Sequence, residues 1–207
     1  MDVLKKFDVV LRGISPLIMH SDKLCNPLDP LVKAMKEISS VKKKTDEHYA
    51  ALAKLEFLGG LYYDEEIGIY LPCKVIMGVI KAAARKYKLG KMTKGITLDA
   101  AIGFPLIGYE ETTPEKLWEE REKNGDQKHV FSETVVVQVS RIMRTRGIFK
   151  KWAVAFKAFL NSELLSPEQF KQILDTAGFE YGVGECRPGL VTGNYGRFRV
   201  EKFTELK

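Results

Sequence analysis

Leu71-Pro72-Cys73-Lys74-Val75-Ile76-Met77-Gly78-Val79-Ile80-Lys81-Ala82-Ala83 is where the pattern of this chain turns helical, and the elements on either side of it set the fold. Val75, Ile76, Val79, Ile80 and Ala83 recur at helical spacing, which predicts a helix running through Tyr87 with Pro72 acceptable at its start. At about 100° per residue, Lys74, Lys81, Arg85 and Lys88 fall within one narrow arc, so cations line a single stripe away from the apolar one. An ordinary solvated helix face has the same pattern.

Working outward toward the N-terminus, Phe7 to Ile14 alternates as a strand should, with Phe7, Val9 and Leu11 on one face. Pro27 and Pro30 punctuate a loop before two helical stretches, about Leu31 to Ile38 and Asp46 to Leu58, the second N-capped by Thr45. These read as an insertion over approximately 21–60, closed by Gly59-Gly60. A small hairpin, Leu61 to Tyr63 with Ile67 to Leu71, follows. Toward the C-terminus, Ala101 to Tyr109 is broken by Gly103, Pro105 and Gly108, and an acid-rich segment with a short helix from Pro114 completes a second insertion, approximately 104–129. Val130 to Met143 is expected as one strand, alternating along its length, and Ala153 to Leu160 as another. Ser166-Pro167-Glu168 opens a helix with a serine N-cap and a proline in its first turn, its stripe being Phe170, Ile173 and Leu174. A final strand spans Gly196 to Phe203. With the insertions set aside the order is strand, helix, strand, strand, helix, strand. The expected class is α+β with a ferredoxin-like or RRM core, as one RRM-like domain over 1–207.

Between the last helix and the last strand runs Gly182-Val183-Gly184-Glu185-Cys186-Arg187-Pro188, then Gly193-Asn194-Tyr195-Gly196-Arg197-Phe198-Arg199-Val200. Glycines let a backbone approach a partner closely, while Arg187, Tyr195, Arg197 and Arg199 supply phosphate-seeking charge and a stacking ring. No Gly-Lys-Ser/Thr occurs, and after Gly182 and Gly184 comes Arg187 rather than a third glycine, so neither the Walker loop nor the dinucleotide fingerprint is present. A second basic stretch, Arg141-Ile-Met-Arg144-Thr-Arg146-Gly-Ile-Phe149-Lys150-Lys151-Trp152, joins cations to two aromatics, a combination that binds single strands by charge and base stacking. If these form one groove with Lys74, Lys81 and Arg85, substituting Arg144 or Arg146 lowers both affinity and its salt dependence. Phe149, Tyr195 and Trp152 are the candidate stacking rings, Trp152 having the competing role of a core residue.

The composition agrees with a nucleic-acid partner. Across 207 residues the formal charge is +6, while Glu110 to Glu122 is acid-rich, so the positive charge concentrates elsewhere. Cys25, Cys73 and Cys186 form no Cys-x-x-Cys pair, and neither His-Glu-x-x-His nor a carboxylate metal motif occurs, so no metal or other cofactor is expected. Apolar runs fall short of a membrane helix, and Met-Asp-Val-Leu-Lys-Lys-Phe-Asp lacks the features of a signal peptide, so the expected place is the cytoplasm, away from membranes.

The segment Leu71 to Ala83 resembles the "I-P-G-S-S-h-x-G-h-h-R-x-A" start of the first helix in the RAMP superfamily of CRISPR proteins, and Gly182 to Val200 looks like that superfamily's C-terminal glycine-rich loop and strand. Cys73-Lys74 stands where the family has Gly-Ser. The similarity is to the backbone-subunit type, whose copies polymerise along a guide RNA. Glu185-Cys186-Arg187-Pro188 with Gly196-Arg197-Phe198 is more similar to stand-alone relatives encoded by bacteriophages. What the resemblance implies is a non-catalytic clamp or coat for single-stranded RNA or DNA, RNA favoured, acting as a homo-oligomer. Two other implications stay open. One is a metal-independent endoribonuclease, for which His20, after the first strand, is the attractive base. The other is a phage protein that binds or mimics a CRISPR effector subunit.

Overall fold

A computed structural model of the chain describes residues 3–124, 128–137, 139–190 and 193–206. In chain order its elements are β1 (Leu4–Gly13), β2 (Leu17–Met19), α1 (Pro30–Ser40), α2 (Asp46–Gly60), β3 (Tyr63–Asp64), β4 (Gly68–Pro72), α3 (Cys73–Lys86), β5 (Ile96–Leu98), β6 (Gly103–Pro105), α4 (Pro114–Asn124), β7 (Val130–Val137), β8 (Ser140–Phe149), β9 (Ala153–Asn161), α5 (Pro167–Thr176) and β10 (Phe198–Leu206). The class is α+β, with antiparallel sheets.

The central sheet has the order β10-β1-β9-β5. Along the chain its strands are interleaved with helices as β1, α3, β5, β9, α5, β10. Alternation decides which side chains face inward: Phe7, Val9 and Leu11 of β1 and Val154, Phe156, Ala158 and Leu160 of β9 are buried. Phe203 of β10 stacks on Phe7 with centroids 4.6 Å apart, and Phe170 of α5 meets the edge of Phe7 at 6.4 Å. The α3 stripe of Ile76, Val79, Ile80, Ala83 and Ala84 joins the same core. Local signals start the helices. Ser166 accepts a hydrogen bond from Gln169 N while the Gln169 side chain accepts from Ser166 N, a reciprocal cap for α5.

Two expectations are corrected here. Val130 to Met143 is not one strand but parts of two, because the chain folds back near Val139 and β7 pairs with β8 from Val130↔Gly147 to Val137↔Ser140. Alternating β-branched residues favour extended backbone without saying where it reverses, and no glycine or proline marks this turn; Gln138 lies outside the described residues. The hairpin joins β2 in a separate sheet, order β2-β8-β7, and β3, β4 and β6 form a third. The strand next to β9 in the central sheet is instead β5, where Ile96 pairs with Leu160 and Leu98 with Ala158. At three residues it is too short to carry a readable alternation. Residues 99–152 therefore lie between consecutive strands of the central sheet. Among the described residues no helix is long and apolar enough to cross a membrane.

Candidate nucleic-acid interface

The glycine loop is built by close backbone contacts with itself and with the segment after β1. Val183 N donates to Gly196 O at 2.9 Å, Glu185 N to Ile18 O at 2.9 Å and Gly196 N to Pro16 O at 2.7 Å. Two of its glycines are accounted for by this packing alone. At Gly184 (φ +81°) an added Cβ would stand 2.4 Å from Ile18 O, and at Gly196 (φ +69°) 1.7 Å from Val183 O. Gly78, halfway along α3, differs: a Cβ there would meet nothing within 4 Å.

The loop lies beside α3. A cleft of about 190 Å³ has Lys74, Val75, Gly78, Val79 and Ala82 on its α3 side and Tyr181, Gly182, Arg187 and Gly189 on its loop side. Arg187 is half-buried, its Nη1 donating to Gly184 O at 2.7 Å, and burial lowers its pKa. Lys74 is exposed and paired with Asp22; that hydrogen bond raises the lysine pKa and lowers the carboxyl. Lys81 and Arg85 are exposed further along the stripe, with no ion pair to a described residue. The structure thus brings Lys74 and Arg187 to one cleft between α3 and the loop, while Lys81 and Arg85 continue the exposed stripe along α3.

The other basic residues are placed elsewhere. Arg144 and Arg146 sit on β8 in a chain of ion pairs. Arg144 Nη1 donates to Glu56 of α2, which also accepts from Thr145 N at 2.8 Å. Arg146 Nε donates to Glu185 Oε2 at 2.6 Å, and its Nη1 lies 3.9 Å from Glu56 Oε2. With its side chain 10% exposed, Arg146 joins the inserted helix, the hairpin and the glycine loop instead of facing solvent. Arg141 is exposed toward the tip of the hairpin and Lys150 and Lys151 at its base, and nine residues of strand separate the ends by about 30 Å. Arg197 donates to Phe179 O at 2.7 Å and lies over the Phe179 ring, 5.0 Å from its centroid. Tyr195 packs on Phe131 at 5.8 Å. Phe149 and Trp152 are buried, Trp152 with its Nε1 donating to Ser15 O at 2.9 Å, so neither offers a face to a base.

His20 follows β2. Its Nδ1 is 3.4 Å from Glu185 Oε1, in a cleft of about 200 Å³ shared with Tyr62 and Arg187. Burial by itself raises the Glu185 carboxyl, but hydrogen bonds from His20 and Arg146, and their charge, outweigh it and hold the pKa at about 2. Among the described residues no group of three or more His, Cys, Asp or Glu side chains is gathered to hold a metal ion. Sequence reasoning missed Glu56 and Glu185 as partners of the arginines. It also missed Tyr62, Tyr63 and Tyr70, which wall a further cleft next to Lys74; their clustering within one short hairpin was the available signal.

No protein-family model matches the chain, and no curated protein matches it. Among solved structures, a chain in a cryo-EM structure of the Type III-B Cmr-beta bound to cognate target RNA is similar at a TM-score of 0.48 and 14% sequence identity, over 99% of this chain and 61% of that one. The present chain thus spans less than two thirds of that chain's length.

Proposed function

We propose that the chain binds single-stranded nucleic acid, RNA in preference to DNA, and holds the strand without cutting it, several copies lining up as a homo-oligomer. In this reading β10-β1-β9-β5 with α3 and α5 is a ferredoxin-like core, and the strand runs over α3 beside the glycine loop. Gly78 is the observation that carries it. A glycine inside a helix costs about 1 kcal/mol relative to alanine, and no packing accounts for one here, since the space over it is open. It lines the cleft between α3 and the loop, flanked by Lys74 and Arg187, on the helix that carries Lys81 and Arg85. Bare backbone between cations suits a phosphodiester chain at contact distance. The preference for RNA and the strand-coating mode rest on the resemblance of Leu71 to Ala83 and of Gly182 to Val200 to the RAMP superfamily.

Fluorescence anisotropy with labelled single-stranded RNA, single-stranded DNA and duplex at low salt tests this. Reversing charge at Lys81→Glu with Arg85→Glu is expected to weaken binding by roughly tenfold or more. Unchanged affinity in that double variant removes the stripe from the interface. Light scattering with RNA of increasing length reads the number of copies per strand.

One observation favours a second reading, RNA cleavage without metal: the contact of His20 with Glu185 beside Arg187. There His20 would take the proton of a 2′-hydroxyl whose oxygen attacks the adjacent phosphorus. The 5′-oxygen would leave with a proton from solvent while Arg187 balances the phosphoryl charge. Labelled RNA incubated without metal decides it: cleavage that disappears in His20→Ala supports catalysis, and intact RNA leaves binding as the activity.

A further inference from the structure

Tyr62, Tyr63 and Tyr70 wall a cleft of about 830 Å³ between the end of α2, the β3–β4 hairpin and the first turn of α3. All three rings are half-buried, so each keeps surface open to the cleft. The Tyr62 and Tyr70 centroids are 5.9 Å apart with the rings tilted by 54°. Burial pushes both phenols above their ordinary range. Lys23 and Lys74 supply positive charge, and Asp22 and Glu115 are the carboxylates present. The volume lies in the range of small-molecule sites, about 300 to 1,000 Å³, and exceeds what one nucleotide needs.

The cleft adjoins the proposed strand path. Lys74 also lines the cleft over Gly78, and Tyr62 also lines the one containing His20. Lys74 and Asp22 are both 62% exposed, and a solvated pair of that kind is weak, so a phosphate can take the place of the carboxylate. Aromatic faces beside a phosphate-seeking cation suit a planar base whose backbone stays at the rim.

We infer that this cleft receives a nucleobase turned out of the strand lying along α3, stacked against the tyrosines with its phosphate at Lys74. The inference rests on the nucleic-acid reading and adds to it a specific subsite. Base pairing would keep the ring out of the cleft, so the subsite selects unpaired strands.

The cysteines test it in the unmodified protein. Cys73 lines the cleft and is half-buried, whereas Cys25 is exposed outside it. Labelled single-stranded RNA of about 20 nucleotides is added, binding is read by anisotropy, and N-ethylmaleimide labelling of each cysteine is followed by mass spectrometry. When about nine molecules in ten are bound, labelling of Cys73 is expected to fall roughly tenfold, because only the free fraction reacts, while Cys25 labels as before. An abasic strand of the same length should bind through its phosphates and leave Cys73 open. Binding without shielding of Cys73, or equal shielding by the abasic strand, overturns the subsite while leaving the strand interface standing. Absence of binding overturns both.

Discussion

Glu185 carries more of the site's organisation than any of the cations around it. One oxygen contacts His20 at 3.4 Å and the other accepts from Arg146 at 2.6 Å, tying the start of the glycine loop to β2 and β8. Its folded pKa of about 2 lies below the ordinary 4.5. The stabilisation is therefore complete above about pH 4.5 and is lost as pH falls toward 2, a contribution of up to roughly 3 kcal/mol. Urea midpoints measured from pH 7 to pH 2 should fall steeply below pH 4.5 in the native protein. In Glu185→Gln they should start lower and decline less over that window; parallel curves would mean that another carboxyl controls acid stability.

Among the elements, α3 and the β7–β8 hairpin divide the roles that the sequence had merged. Both present basic residues, yet α3 projects Lys81 and Arg85 into solvent, while the hairpin turns Arg144 and Arg146 toward Glu56 and Glu185. Through Arg144 and Arg146 the hairpin is joined to carboxylates of α2 and the loop, while Arg141 stays exposed near its tip. Gly78 separates helix stability from binding. Gly78→Ala should raise stability by about 0.5 to 1 kcal/mol, since alanine favours helix and the Cβ meets no neighbour. The same methyl should weaken RNA binding by holding the strand off the backbone. A higher melting temperature with unaltered affinity would show that no ligand touches α3 at that point.

Taken together, the net +6 is spread unevenly, and two of the hairpin's cations, Arg144 and Arg146, are already compensated by carboxylates within the fold. Salt dependence distinguishes the two kinds of cation. Each phosphate neutralised on a single strand adds about −0.7 to the log-log slope of affinity against salt, so Lys81→Ala should make the slope shallower by about that amount with little effect on folding. Arg146→Ala should leave the slope as it is and destabilise the protein by roughly 1.5 to 3 kcal/mol, because it removes the charged donor of Glu185, which keeps only His20 among the described residues, while Glu56 keeps Arg144 and Thr145 N. The opposite pattern would put the interface on the hairpin.

Local chemistry was sufficient for much of this protein. The period of Val75, Ile76, Val79 and Ile80 set α3 and its cationic stripe, Ser166-Pro167 set the start of α5, and alternation set β1 and β9, because each depends on neighbours within a few residues. The strand character of 130–143 was legible but its reversal was not, and β5 was too short to read. Tertiary structure alone decided which cations stay free. Arg146 meets Glu56 and Glu185, 90 and 39 residues away, and a charge pattern along the chain carries no record of partners that far off. It also brought Tyr62, Tyr70 and Lys74 around one cleft, since the mouth of a cavity is set by how whole elements pack and not by any one segment's preferences.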